Sequence, residues 1–131
     1  MKVFLKTHLS IFVLLMCLSV ATNLNSKQLD GVWKLQSGNT INYKILKKDG
    51  CYINLRSSDC GKTYQITREG KYEILLPGLY VEHVKMAYGR SGNGDVAITY
   101  KKKKGKLMLS FKINQHTYNE EWVKADKSPI Y

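Results

Sequence analysis

The sequence predicts an all-β fold, a small antiparallel up-and-down β-barrel of about eight to nine strands that follows an N-terminal export signal. Three observations predict it. Apolar and polar residues alternate along most of the chain beyond residue 30. Turn-forming residues interrupt that alternation every ten residues or so. No window of eleven or more residues after the leader keeps apolar side chains at helical spacing. A sheet of many short strands with no helix to cover its apolar face must split into a sandwich or close on itself. Closure is the expectation here.

The leader comes first. In MKVFLKTHLSIFVLLMCLSVATNLNSK, Lys2 and Lys6 precede an apolar run from Leu9 to Ala21 that is of signal-peptide length, too short to span a membrane. The small residues of Ser19-Val20-Ala21 place cleavage after Ala21, with alternatives reaching Lys27. The rival is a lipoprotein signal ending at Cys17, but Met16 stands where a small residue normally precedes the lipidated cysteine. The expected organisation is a signal peptide at 1–21, one barrel domain at 28–126 and a short tail at 127–131. Such a chain is destined for the periplasm or for secretion. Losing Lys2 and Lys6 leaves 19 basic against 10 acidic residues, a net charge of +9. In an exported protein that excess favours anionic headgroups, glycans or plain solubility over nucleic acid.

Turns are expected at Gly38-Asn39, Asp49-Gly50, Asp59-Cys60-Gly61, Pro77-Gly78, Gly89 to Asp95, Gly105 and Asn114-Gln115. Between them, alternation groups Trp33 with Leu35; Ile41, Tyr43 and Ile45; Cys51, Ile53 and Leu55; Tyr64 and Ile66; and Tyr72 and Ile74. It then groups Tyr80, Val84, Met86 and Tyr88; Val96, Ile98 and Tyr100; Leu107, Leu109, Phe111 and Ile113; and Tyr118 with Trp122. All are expected on one dry inner face, with Lys34, Asn42, Lys44, Asn54, Arg56 and their like facing water. Gly70 interrupts a long strand and marks the bulge that closure needs. Trp33 and Trp122 lie on the first and last strands, where two large rings would plug the narrow end of a closed barrel.

Two acids break the pattern. Glu82 lies between Tyr80 and Val84, and Glu120 between Tyr118 and Trp122, both on the apolar register. Charges on a core face are unfavourable unless paired or wetted, so part of the interior is expected to be polar or ligand-filled. The same register carries seven of the nine tyrosines, whose hydroxyls need partners. The candidate ligand-lining residues are therefore Tyr43, Tyr64, Tyr72, Tyr80, Glu82, Met86, Tyr100, Tyr118 and Glu120. The alternative is that these groups satisfy one another and trapped water, or that a bulge turns Glu120 outward. Cys51 and Cys60 remain after the leader, either bridged or as two free thiols.

GVW at 31–33, YKILKKDG at 43–50, REGKYEI at 68–74, LYVEHV at 79–84 and EEWVKA at 120–125 together resemble the small exported lipocalin-like proteins of Bacteroidota, a family of unknown function. The resemblance covers almost the whole chain after the leader. It implies a compact barrel related to lipocalins and fatty-acid-binding proteins, with a central cavity for a small hydrophobic molecule. GVW is similar to the lipocalin G-x-W signature, which puts Gly31 and Trp33 at the closed end. The E-x-W acid matches Glu120, and the acid of YVEHV is Glu82. The basic residue that follows the final Trp in larger lipocalins is here Lys124.

Other motifs carry less. YKKKKGKLMLSF is a lysine-rich hairpin tip at Gly105, either a solvated turn or a headgroup or anionic-ligand contact at a portal of the barrel; its aromatics are expected inside, which a nucleic-acid reader does not want. GRSGNGD, residues 89–95, lies between strands, without the helix N-terminus a phosphate cradle requires. His83 and His116 lack ligand-spaced companions, so no metal or cofactor is expected, and no nucleophile–base arrangement points to an enzyme. Two function classes remain: a monomeric carrier of a small, largely hydrophobic or amphipathic ligand, and an interaction or inhibitor module with a solid core. A connected void on the order of 300 Å³ or more separates them.

Overall fold

A computed structural model of the chain describes residues 29–89 and 94–130. The expected signal peptide, Cys17 and the cleavage sites up to Lys27 lie outside the described residues. Eight antiparallel strands follow one another around a closed barrel: β1 Gly31–Ser37, β2 Thr40–Leu46, β3 Cys51–Ser57, β4 Gln65–Leu76, β5 Leu79–Ala87, β6 Val96–Lys103, β7 Lys106–Ile113 and β8 His116–Ala125. Each expected turn falls in a connection between strands. Two of these hairpins turn through consecutive residues with positive φ, Lys104-Gly105 and Asn114-Gln115, the backbone that suits the twist of paired strands.

Closure is made by β1 against β8, with Trp33 opposite Lys124. At this end the barrel is solid. Trp33, Leu46, Tyr52, Tyr72, Ile74, Tyr80, Ile98, Leu107, Leu109 and Trp122 form one buried cluster, and Leu29 lies against it. The Trp33 indole donates its Nε1–H to the Leu29 carbonyl at 3.2 Å. The Lys124 ammonium sits 4.7 Å from the Trp33 ring centroid and donates to the Asp30 carbonyl at 3.3 Å, so a lysine covers the ring that plugs the barrel. Gly31 has a φ of +144°, which suits glycine, and the Lys124 ammonium occupies the space where a Cβ would stand.

The inner face is not the one alternation indicated for β2 and β3. Ser37 pairs with Thr40 across a two-residue turn, so Leu35 faces Asn42 and Trp33 faces Lys44. Asn42, Lys44 and Leu46 therefore point inward, followed across the next ladder by Arg56, Asn54 and Tyr52. Ile41, Tyr43, Ile45, Cys51, Ile53 and Leu55 point outward. Ile45, Ile53 and Leu55 form a second buried cluster on the outside of the barrel, packed by Val32, Tyr43, Tyr64 and Ile66. Tyr43 and Tyr64 meet edge to face there at 5.8 Å. The β3–β4 connection beside them is tied down by Asp59, whose carboxylate accepts from the Thr63 hydroxyl and amide and from Ser57 Oγ. Those hydrogen bonds, led by the one from Thr63 Oγ1, hold its pKa down to about 2.

Two of the register shifts in the next two ladders then change the parity along β4 and along β5. Asn54 pairs with Arg68 but Leu55 with Ile66, so Thr67 is an extra residue; Ile66 stays outside while Arg68, Tyr72 and Ile74 turn inside. Glu69 pairs with Met86 but Gly70 with Val84, making Lys85 an extra residue in β5 and turning Met86 out to solvent. This second irregularity falls at Gly70 as expected. A Cβ on Gly70 would lie 1.9 Å from the His83 carbonyl oxygen. The β5–β6 ladder is short, ending at Glu82 opposite Val96. Beyond it Asp95 takes over, accepting from the Val84 amide at 3.0 Å and contacting His83 Nδ1 at 2.8 Å.

The possible Cys51–Cys60 bridge is not formed; both cysteines are free. Cys51 opens β3 and Cys60 lies beyond its far end. At a rise of roughly 3.3 Å per residue a strand of this length separates them by about 20 Å, against the 7 Å or so that a bridge tolerates between Cα atoms. The Cys60 thiol instead donates to Asn39 Oδ1 at 3.1 Å.

Truncating the plug tests the closed end. Trp33→Ala is expected to lower unfolding free energy by about 3–5 kcal/mol, because neighbours held by two strands and a lysine cap cannot collapse into the void; equilibrium urea denaturation measures it.

Candidate functional site

Toward the other end the side chains no longer meet across the interior. They leave a cavity of about 510 Å³. It opens at the end of the barrel that carries the β1–β2, β3–β4 and β7–β8 connections, where Arg56, Asn114 and Tyr118 border it. Its lining is divided by strand. Asn42 and Lys44 from β2, Asn54 and Arg56 from β3, and Thr67 and Arg68 from β4 make one wall polar. Val96 and Ile98 from β6 and Phe111 and Ile113 from β7 make the facing wall apolar, and β8 contributes Tyr118, Glu120 and Trp122.

The floor is a buried ion pair. Lys44, 4% exposed, and Glu82, 3% exposed, meet across the barrel from β2 and β5 at 2.5 Å. Each is held by a second partner: the Lys44 ammonium donates to Asn54 Oδ1 at 3.1 Å, and the Tyr80 hydroxyl donates to Glu82 Oε2 at 2.9 Å. The ammonium also lies 5.7 Å from the Trp122 ring and 5.9 Å from the Tyr52 ring. This saturation is what allows charge at such depth, since an uncompensated buried ion costs several kcal/mol. Tyr80 has its pKa pushed well up, first by burial and then by the Glu82 charge, so its proton stays available for that bond.

Glu120 is half-buried and accepts from the Trp122 indole N–H at 3.2 Å. Burial raises its pKa above the ordinary value, Lys44 and the indole bond oppose that rise, and Glu82 adds to it. Tyr52, on the inner face of β3 below Asn54, has a buried hydroxyl without a hydrogen-bond partner among the described residues. Burial raises its pKa too, and the Glu82 charge adds to the rise while Arg68 opposes it. Arg68 donates to the Gly94 carbonyl at 3.0 Å, which ties the polar wall to the start of the β6 approach.

Of the expected ligand-lining residues, Glu82, Tyr118 and Glu120 reach the cavity. Tyr72, Tyr80 and Tyr100 are inside but belong to the closed end, where their rings meet edge to face; the Tyr72 hydroxyl donates to the Lys47 carbonyl at 2.6 Å. Tyr43 borders the cavity, yet its ring packs outward on Tyr64. Tyr64 is outside because of the extra Thr67, and Met86 because of the extra Lys85. The alternation pattern missed the whole polar wall, having assigned Asn42, Lys44, Asn54 and Arg56 to solvent. The two-residue turn at Gly38-Asn39 was the signal that could have found it, because such a turn sets odd residues of β1 opposite even residues of β2.

Residues 20–130 match the family described as a domain of unknown function (DUF4488). The chain belongs to that family. A comparison with curated proteins finds no match. The closed eight-stranded antiparallel barrel of this DUF4488 member is consistent with a lipocalin-like barrel.

Two measurements check the floor of the cavity. Lys44→Met is expected to cost about 3–5 kcal/mol by leaving Glu82 uncompensated, and Lys44→Met with Glu82→Leu to recover most of that loss; a double-mutant cycle from denaturant unfolding reads both. For Glu120 the folded pKa lies above the unfolded one, so its contribution to stability is full below the ordinary value of 4.5 and is lost as pH rises through the folded value. Glu120→Gln is therefore expected to remove that fall and to raise the melting temperature near neutral pH relative to the parent chain.

Proposed function

We propose that this chain is an exported, monomeric binding protein that takes a small facially amphipathic molecule into the barrel, one face apolar and the opposite edge carrying hydrogen-bonding or anionic groups. One observation carries this reading: the cavity has a polar wall from β2–β4 and an apolar wall from β6–β7. A linear hydrocarbon would cover Asn42, Arg56 and the rest of the polar wall and offer that wall no hydrogen bond, which is unfavourable. A wholly polar solute would leave Val96, Ile98, Phe111 and Ile113 without a favourable contact. A rigid ring system with polar groups on one face satisfies both.

The volume, about 510 Å³, falls within the range of sites for small organic molecules, which favours a carrier over an interaction module with a solid core. Binding rather than catalysis also suits the two acids. Glu82 is held by Lys44 and Tyr80, and Glu120 by the Trp122 indole, so both are committed to structural partners. The charges within the lining, three basic against two acidic, favour a ligand with a negative group at its polar edge.

Calorimetric titration of the chain beginning at Thr22 with a sterol-type carboxylate, a straight-chain fatty acid and a neutral isoprenoid tests the proposal. The sterol-type acid is expected to bind at least tenfold more tightly than the other two, with a negative heat-capacity change. Asn42→Leu on one wall and Phe111→Ser on the other are each expected to weaken it roughly tenfold, about 1.4 kcal/mol. Binding indifferent to both walls, or absent for all three classes while the protein is folded, overturns the reading.

A further inference from the structure

An up-and-down barrel sends alternate hairpins to the same end. Here the β2–β3, β4–β5 and β6–β7 tips, the start of β1 and the end of β8 all lie on the closed rim. Backbone hydrogen bonds join them in sequence: Tyr72 N to the Gly50 carbonyl, Tyr100 N to the Gly78 carbonyl and Lys124 N to the Gly105 carbonyl, at 2.8, 2.9 and 2.8 Å. The composition of this rim is unlike that of the mouth. The β2–β3 tip presents Lys48, the β6–β7 tip presents Lys103, Lys104 and Lys106, and the segment after β8 presents Lys127, all exposed. Asp49 and Asp126 are the exposed acids on these segments. Glu121 pairs with Lys106 at 3.2 Å, and Lys124 is engaged over Trp33.

Between the two lysine-bearing tips stands a third of opposite character. The β4–β5 hairpin is Leu75-Leu76-Pro77-Gly78, with Leu75 44% and Leu76 52% exposed. Turn tips favour small and polar residues, so two adjacent exposed leucines at one are chemically out of place in water. A polyanion such as nucleic acid or an acidic polysaccharide would use the lysines and find no purpose for the leucines. A lipid surface uses both.

We propose that the closed rim docks this protein on an anionic bilayer surface, Leu75 and Leu76 entering the headgroup–acyl boundary while Lys48, Lys103 and Lys104 meet lipid phosphates on either side. The occupant follows from charge complementarity together with the apolar tip. Docked in this way, the barrel directs its mouth away from the membrane, so the cavity loads from the aqueous side. This surface is independent of the ligand proposed for the cavity.

Co-sedimentation with vesicles tests it, using the chain from Thr22, which contains the entire closed barrel. With vesicles of phosphatidylglycerol and phosphatidylcholine in about 0.1 M salt, binding is expected to be at least tenfold tighter than to phosphatidylcholine alone, given the cost of separating several lysines from an anionic surface. K103E/K104E is expected to weaken binding at least tenfold and Leu76→Ser several-fold, whereas K85E/K112E, the same charge change away from the rim, stays within about twofold. Unfolding curves matching the parent confirm that each variant is folded. Equal losses in the two double variants, no loss in Leu76→Ser, equal binding to neutral vesicles, or tighter binding to a soluble acidic polysaccharide than to anionic vesicles would each overturn the proposal.

Discussion

Lys44 enters the interior from β2 and is met by Glu82 from β5, three strands further round the wall. That pair sets the character of everything above it. An ammonium and a carboxylate at this depth need every remaining bond filled, so Asn54 and Tyr80 must also face inward, and the middle of the barrel cannot be packed with leucine and phenylalanine. Below the pair, the interior is packed with apolar and aromatic side chains, among them Trp33, Trp122 and Leu29. Above it, polar side chains from β2–β4 stand away from apolar ones on β6 and β7, and a cavity is left between them. The pair is thus the boundary between the part of the barrel that stabilises the fold and the part that is free to hold something else.

A second consequence concerns the apolar residues displaced from the interior. Because Asn42, Lys44, Asn54 and Arg56 occupy the inner positions of β2 and β3, the isoleucines and leucine alternating with them must find cover outside. They do so as a satellite cluster built on Ile45, Ile53 and Leu55 with the Tyr43–Tyr64 pair at its edge. The fold therefore has two apolar regions on opposite sides of the same strands. Burial on both faces favours a fixed register for β2 and β3, since a one-residue slip would exchange polar cavity lining for isoleucine on one side and expose it on the other.

The two ends of the barrel also differ in kind. The closed rim joins a tightly packed plug to lysine-bearing tips and exposed leucines, whereas the mouth combines Arg56, Asn114 and Tyr118 with loops held by Asp59 and Asp95. Ligand capture and surface attachment, if assigned to opposite ends, do not compete for the same residues. Asp95 has a particular place in this division. It completes the β5 edge where the β5–β6 ladder stops, and it and Glu73 hold the His83 imidazole above its usual pKa.

The sequence by itself indicated the class of fold, the positions of the turns, the plug of Trp33 and Trp122, an irregularity at Gly70, and Glu82 and Glu120 on the register of the core residues. Those features are local or follow from composition: turn residues act over two to four positions, and an acid flanked by core residues shares their face where no bulge intervenes. What only the tertiary structure decided is which face of β2, β3 and the ends of β4 and β5 is the inner one. Alternation states which residues of a strand lie together, not toward which side, and hydrophobicity resolves that choice only when there is a single core. Here a two-residue hairpin, an extra Thr67 and an extra Lys85 each reverse the parity, and pairing between strands fixes all three. The polar wall, the cavity's open end and the separation of Cys51 from Cys60 follow from that pairing, because they depend on contacts between residues distant in the chain.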